Sequence, residues 1–246
     1  MKKNILLIAI MAVLLVSCSK KDRSNDGKSL IVSTIEHLDL TSGNTYSIAF
    51  DYDAAERIST ATQSYTTNGV SGSRIFKYSY KGNSITRSSE GLPLSIADTD
   101  GDGRITSIST VINGDTIKST FTYNLRGQML TQGGGSDVKV DWSDDNMISN
   151  VLVIGGAPIS KSNYEYGSQI NTGLIDIVML VEANLTATNG WLGFNFGRIS
   201  HNTPIKISDG QTSRIYDYTT NENGRIETIA EYNGDNKTAV YTLTYK

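Results

Sequence analysis

The sequence predicts a mainly β protein, an antiparallel meander whose curved or half-barrel sheet wraps around one short helix. Apolar and polar residues alternate over many short segments, and clusters of glycine, asparagine and aspartate separate these segments. Alternation with a period of two directs one set of side chains to one sheet face, and the turn residues supply the positive-φ positions of hairpins. The composition agrees, with 23 glycines and 13 tyrosines against 3 prolines.

One unit recurs along the chain. An alternating strand ends in aromatic residues, a short turn of Asp, Asn and Gly follows, and then an Arg or another polar residue precedes an aliphatic one. Copies lie at residues 50–58, 121–129, 138–147 and 216–226. Each copy is the sequence form of a β-hairpin. Connections this short join antiparallel neighbours, because parallel pairing requires a crossover of a dozen or more residues.

The N-terminus predicts export. Lys2 and Lys3 precede an apolar run from Ile5 to Val16, which is shorter than the roughly 20 residues that cross a bilayer, so residues 1–17 are interpreted as a secretory signal peptide. The run ends in a stretch that resembles a bacterial lipobox, in which Cys18, the only cysteine, is diacylated with chains such as palmitate. The alternative is cleavage by a type I peptidase near an incidental cysteine.

The mature chain is predicted to consist of a tether and one domain. Residues 18–28 are polar and lack periodicity, which favours a flexible tether, and residues 29–246 form a single β-rich domain. The expected location is the outer membrane, with the protein lipid-anchored on the cell surface or the periplasmic face. Lys20-Lys21-Asp22 is similar to the surface-export signal of Bacteroidetes lipoproteins, but its acids are not consecutive, so both orientations stay open.

The charge of the chain narrows the choice of partner. Residues 1–17 contain two lysines and no acid, so the formal net charge goes from −3 to −5 in the mature chain. Mild acidity argues against nucleic acid and against an anionic membrane surface as partners. The expected contacts are the membrane through the N-terminal lipid and a glycan or envelope protein.

Within the body, each alternating segment predicts one strand. In the second of them, Tyr46, Ile48, Phe50 and Tyr52 share one face and leave the other face polar. The predicted strands are residues 30–40, 46–52, 58–65, 74–80, 84–88, 104–112, 116–123, 138–142, 147–154, 162–166, 213–218, 225–232 and 238–245. Such a sheet needs an apolar body on which its apolar face can pack.

Between Thr172 and Ala187 the period changes. Apolar residues recur at helical spacing, and Thr172 is placed to cap the start. They are Leu174, Ile177, Val178, Val181 and Leu185. A strand stays an alternative because the segment is rich in β-branched residues. As a helix it is too apolar to lie on water, so we expect the sheet to curl over it.

The sharpest local pattern is Asp98, Asp100 and Asp102 followed by Gly103, which matches the start of an EF-hand calcium loop. The twelfth position is Ser109 where a bidentate Glu is needed, and no flanking helices are predicted. The favoured interpretation is another hairpin turn, with weak calcium binding as the alternative. No other metal or cofactor is expected.

Catalysis has few candidate residues. The mature chain contains only His37 and His201, the latter in a predicted loop over residues 200–204, and it has no Gly-x-Ser-x-Gly elbow. Pairs of aspartates occur at turns, where Asp caps the backbone. They are Asp51 with Asp53 and Asp144 with Asp145. We therefore expect no enzymatic activity and no catalytic residue.

Aromatic residues are the better binding candidates, because sheet aromatics stack against sugar rings. The aligned tyrosine pairs fall on the predicted core face, where cross-strand packing accounts for them. They are Tyr78 with Tyr80, Tyr164 with Tyr166, and Tyr216 with Tyr218. Trp142 and Trp191 are thus the candidate ligand-binding residues.

Together, the lipobox, the recurrent hairpin unit, the apolar segment from Leu174 to Leu185, and residues 193–204 resemble a family of putative Bacteroidetes lipoproteins. That family is a domain of unknown function with a porin-like fold, and the hairpins also resemble the YD repeats of Rhs-type shells. The resemblance implies a curved antiparallel sheet and no established activity. The expected function is non-enzymatic binding or scaffolding at the cell envelope. The alternatives are a surface carbohydrate receptor and an outer-membrane β-barrel, since lipid-facing strands alternate too.

Overall fold

The protein is a closed barrel of sixteen antiparallel strands, seen in a computed structural model that describes residues 31–134, 137–171, 191, 195, 197 and 200–246. The strands are β1 Val32–Asp39, β2 Thr45–Tyr52, β3 Ile58–Thr67, β4 Val70–Lys81, β5 Ser84–Ser88, β6 Ser95–Thr99, β7 Ile105–Ile112, β8 Asp115–Tyr123, β9 Met129–Gly133, β10 Asp137–Ser143, β11 Asn146–Ile154, β12 Ala157–Ile170, β13 Asn202–Ser208, β14 Ser213–Thr220, β15 Ile226–Asn233 and β16 Asn236–Tyr245. Each strand pairs with its neighbours in the chain, so the predicted antiparallel meander is confirmed.

The expected half-barrel is wrong, because the first and last strands pair. β1 and β16 form an antiparallel ladder in which Ile35 lies opposite Leu243 and Leu38 opposite Val240. Pairing between strands 200 residues apart is not encoded in local alternation, which looks the same in an open and a closed sheet. Closure leaves no edge strand exposed to other chains.

The apolar face of the sheet is the inside of the barrel. In β2, Ile48 and Phe50 are buried while Ala49 and Asp51 are exposed, as the alternation predicted. The most deeply buried large side chains belong to Tyr216, Ile35, Ile105, Ile226 and Ile229. The core is thus built from inward side chains contributed by strands all around the barrel.

The predicted helix over residues 172–187 lies outside the described residues. In the part of the chain that the structure describes there is no helix, so the sheet is not shown to wrap around one. In the same part, no helix has the length and apolar character needed to cross a membrane.

Three strands are missed by the alternation: β6, β9 and β13. β13 overlaps residues 200–204, which were expected to form a loop and which end in Pro204. The ladder between β12 and β13 shifts register on both sides of Tyr166, the residue opposite Pro204. Proline is accommodated at such irregularities, where a ladder hydrogen bond is already missing.

The connections alternate between the two ends of the barrel. We call the terminal rim the end at which β1 begins and β16 ends, with the turns after the even-numbered strands, and the distal rim the opposite end. Some of the described residues between β12 and β13 also lie at the terminal rim. There Asn195 accepts a backbone hydrogen bond from Ile105, and the backbone N–H of His201 donates to Asp145.

Candidate functional site

Four turns of the terminal rim share one hydrogen-bond pattern. In the first, Asp53 Oδ1 accepts from the backbone N–H groups of Ala55 and Arg57, at 2.9 and 3.0 Å. Asp100, Asn124 and Asn221 do the same in their own turns. The fourth residue of each turn has positive φ, and it is glycine in three of them and Glu56 in the first. The recurrent unit therefore encodes a capped turn with a bulge, as short hairpin loops require.

The aspartates of the EF-hand-like stretch are engaged in such a turn. Arg104 donates to Asp100 at 2.7 Å and pairs with Asp102 at 2.8 Å. Asp98 accepts from Ser84 and Ser107 on the outer face of the sheet. The turn interpretation is confirmed, and no metal-binding group of three or more His, Cys, Asp or Glu occurs among the described residues. Weak calcium binding stays a prediction.

A ring of aromatic side chains lines the terminal rim and donates hydrogen bonds to the backbone. Seven of the eight even-numbered strands end in an aromatic residue whose polar tip donates to a backbone carbonyl at the start of the preceding strand. These rim aromatics, with their acceptors, are Tyr52 to Val32, Tyr80 to Ile58, Tyr123 to Ile105, Trp142 to Met129, Tyr166 to Met147, Tyr218 to Pro204 and Tyr245 to Ile226. In β6 the hydroxyl of Thr99 donates to Asn83 instead. Each of the aromatic hydrogen bonds joins two strands beyond the last residue pair of their ladder at the terminal rim.

Turn arginines cover several of these rings. The guanidinium carbon of Arg57 lies 4.2 Å from the centre of the Tyr80 ring, and Arg225 lies 5.4 Å from Tyr245. Burial raises the pKa of Tyr80 to about 12, so its phenol is a neutral donor at physiological pH. The tyrosine pairs of the core face are thus used in packing, as expected, and Tyr78, Tyr164 and Tyr216 are all buried.

Trp142 is the sequence-predicted candidate that lines an opening. It is half-buried, its indole N–H donates to the carbonyl of Met129 at 2.7 Å, and a depression of about 310 Å³ lies against it at the terminal rim. The lining residues are Asn124, Arg126, Gln128, Leu130, Val140, Asp141, Trp142 and Asp144. An aromatic surface surrounded by amides and carboxylates suits a ligand rich in hydroxyl groups.

Trp191 lies elsewhere and is only 6% exposed. Its ring centre is 6.0 Å from that of Tyr78 and 5.5 Å from the guanidinium carbon of Arg87, so it packs on β4 and β5 rather than on β10. The two tryptophans therefore do not form one platform, and Trp191 does not offer a free stacking face at the surface.

The histidines occupy different environments. His37 lies inside the barrel with its ring centre 4.5 Å from that of Tyr241 and its Nδ1 without a hydrogen-bond partner. Burial lowers the pKa of His37, although Glu231 and Asp39 act in the opposite direction. His201 is exposed at the terminal rim. Among the described residues, no serine or threonine hydroxyl is hydrogen-bonded to either histidine side chain, and the absence of enzymatic activity stays a prediction.

Arg87 is an inward residue that the sequence reasoning missed. It follows Ile85 by two positions in β5 and is 6% exposed. An arginine at an apolar-face position of an alternating strand was the available signal, because buried arginine is rare unless it is paired.

Comparison with known proteins identifies the fold alone. No family model matches the chain, and no curated protein matches it either. Among solved structures, the chain is similar to a porin-like protein from Bacteroides uniformis ATCC 8492, with a TM-score of 0.72, 14% identity, and coverage of 89% of this chain and 99% of that one. A porin-like protein from Bacteroides vulgatus ATCC 8482 also matches, with 13% identity, the same coverage and a TM-score of 0.37. A porin-like fold is confirmed, whereas membership of the lipoprotein family stays a prediction. Cys18, the signal peptide and the tether lie outside the described residues.

Proposed function

We propose that this protein is a lipid-anchored envelope protein whose barrel stands in water and acts by binding, without chemistry of its own. The observation that carries the proposal is the polarity of the two barrel faces. The inner face is largely apolar and buried, whereas the outer face carries hydroxyl groups and charges among exposed aliphatic side chains such as Ile75, Ile96 and Ile215. A barrel inserted in lipid has the opposite arrangement, with an outward apolar band about 25 Å tall.

Charged residues are distributed around the outer face. Exposed lysines occur on four of the sixteen strands, β4, β8, β10 and β12: Lys77, Lys118, Lys139 and Lys161. A lysine facing lipid at the bilayer midplane costs about 2–4 kcal/mol, so four of them are incompatible with stable insertion at that depth. On a wet surface the same side chains are solvated and cost nothing comparable.

Hydrogen-bonded pairs across strands support the same conclusion. On the outer face, the hydroxyl of Thr60 donates to Asp51 at 2.6 Å, and that of Ser149 donates to Asp141 at 2.8 Å. Pairs of this kind are typical of the solvated side of an antiparallel sheet. Since β1 begins at the terminal rim, we expect a tether before it to join the barrel at that side and the distal rim to face away from the membrane.

The test is solubility without detergent. We expect residues 29–246 to be expressed as a monomer in plain buffer with a cooperative thermal transition. In the full chain, Cys18→Ser is expected to move the protein from the membrane fraction to the soluble fraction, while the parent stays membrane-bound. A Cys18→Ser protein that resists extraction by carbonate and urea, together with aggregation of residues 29–246, would show an inserted barrel instead.

A second candidate function is carbohydrate binding at the depression beside Trp142, because a half-buried indole lies there among polar side chains. A polysaccharide present at 100 times its dissociation constant stabilises a protein by about 2.7 kcal/mol. For a domain of this size the melting temperature then rises by roughly 5–10 °C. We expect Trp142→Ala to remove that shift and Tyr65→Ala, at the distal rim, to retain it. A panel of glycans that leaves the parent unshifted removes this candidate.

A further inference from the structure

Arg87 is a cation enclosed in the barrel, and no described residue supplies a carboxylate to it. Arg87 donates from Nη2 to Ser95 Oγ at 2.8 Å, and its guanidinium carbon lies 5.4 Å from the ring centre of Phe76 and 5.5 Å from that of Trp191. Its Nη1 is buried and has no hydrogen-bond partner. Among the described residues no carboxylate pairs with it. Burial lowers the pKa of Arg87, the neighbouring Tyr78 raises it, and a second arginine, Arg74, lowers it. A buried charge in this state is costly, because one hydroxyl group and two aromatic rings replace the water only in part.

A second unsatisfied group lies two residues further along the chain. The hydroxyl of Ser89, at the end of β5, is buried and has no hydrogen-bond partner. The Ser95 hydroxyl that supports Arg87 is itself bonded to Thr110 at 2.7 Å, which fixes the guanidinium from one side. Arg87 Nη1 and the Ser89 hydroxyl are thus two buried donors without a partner, two residues apart in the chain. An incoming anion needs donors of this kind.

Arg87 is accessible from the distal rim because the strands around it differ in length. β5 and β6 have 5 residues each, whereas β4 has 12 and β7 has 8. Residues 70–76 of β4 pair with β3 but extend beyond the last pair with β5, and β7 continues past its last pair with β6, Ser95 with Thr110. The distal rim therefore has a notch at the connection over residues 89–94. Arg87 lies two residues below this notch, and the exposed Arg74 lies on its β4 side.

We propose that this notch is a binding site for a carboxylate-bearing ligand, whose carboxylate enters the barrel and pairs with Arg87 Nη1 and the hydroxyl of Ser89. One negative charge neutralises the one buried positive charge, and a planar carboxylate matches the geometry of guanidinium donors. Arg74 attracts the anion at the entrance, and the apolar body of the ligand packs beside Phe76. The site rests on the proposed binding function and assigns it a ligand class, a small organic acid or an acidic sugar.

Calorimetry on the full-length protein in detergent micelles tests the site, with acetate, glucuronate, glucose and sulfate as probes. We expect heats with acetate and glucuronate and none with glucose. Arg87→Met should weaken carboxylate binding at least tenfold, whereas Lys161→Met, which removes an exposed cation from the outer face of β12, should leave it unchanged. Equal affinity in the Arg87→Met protein and the parent, or sulfate binding as tightly as acetate, would overturn the assignment.

Thermal stability without ligand separates a binding role from a structural one. Because Arg87 is an uncompensated charge, Arg87→Met is expected to melt at or above the temperature of the parent, whereas a structural arginine would lower the melting temperature by 5 °C or more, on the order of 2 kcal/mol. If Arg87→Met does not fold, the structural role is favoured and Ser89→Ala decides. It should keep the ligand-free melting temperature and weaken carboxylate binding several-fold. If the barrel is soluble without detergent and Cys18→Ser releases it from the membrane, but no carboxylate binds, this site is refuted and the proposed function is retained.

Discussion

Replacement of Ile35 by aspartate is expected to abolish the folded barrel. Ile35 is fully buried, and it lies opposite Ile48 on β2 and Leu243 on β16, so it belongs to the seam that closes the sheet. An aspartate there is a buried charge with no partner among these apolar neighbours. We expect a loss of on the order of 5 kcal/mol or more, which is comparable with the whole stability of a typical domain. Urea denaturation followed by circular dichroism measures the change.

The neighbouring residue supplies the matched control. Thr34 points to the outer face, between Ala49 on β2 and Thr244 on β16, so Thr34→Asp adds the same charge one residue away. On a wet surface that change alters the free energy of unfolding by no more than about 0.5 kcal/mol. A protein that tolerates Ile35→Asp but not Thr34→Asp would have its apolar side outward, and the inserted barrel would then replace the tethered one.

The sequence predicted the faces of the strands and the chemistry of the turns because both are local properties. Alternation assigns inside and outside within each strand, as in β2, and the turns of Asp53, Asp100, Asn124 and Asn221 are closed by side chains within four residues. Closure is not local. It depends on the pairing of β1 with β16, and a curved open sheet has the same alternation.

The candidate sites also differ in whether they depend on local sequence or on the closed fold. The resemblance of residues 98–103 to a calcium loop comes in part from Asp100, which occupies the position where such a turn needs Asp or Asn. Arg104, the partner that separates the two interpretations, is close in sequence. Trp142 and Trp191 look equivalent in sequence, and only the fold separates a rim residue from a buried one. Arg87 could have been found from its inward position in β5, but its unpaired state depends on contacts with Phe76, Ser95 and Trp191.

Removal of a single rim aromatic is the second large change that we expect. Tyr80 donates to the carbonyl of Ile58 at 2.8 Å and is covered by Arg57, so Tyr80→Ala removes ring packing, a hydrogen bond and a cation–π contact together. The expected loss is about 3–4 kcal/mol. Tyr80→Phe keeps the ring and leaves the carbonyl without its donor, which should cost about 1–2 kcal/mol. Urea denaturation of both variants measures the two contributions separately.

Tyr65 is the control, because it lies at the distal rim, is 39% exposed and makes no hydrogen bond among the described residues. Tyr65→Phe should therefore change stability by less than about 0.5 kcal/mol. Equal effects of Tyr80→Phe and Tyr65→Phe would mean that the phenol of Tyr80 does not tie the strands together.

The ring of rim tyrosines also predicts how the barrel responds to alkali. Burial raises the pKa values of Tyr52, Tyr80 and Tyr123 to about 12, from about 10 in an unfolded chain. A raised pKa means that the folded state holds the proton more tightly, so this contribution to stability is complete below pH 10 and is lost as the pH rises from 10 to 12. In Tyr80→Phe the loss over that range should be smaller, because one of these protons is absent. Since each phenol must keep its proton to donate to a strand carbonyl, phenolate absorbance should appear together with unfolding rather than before it.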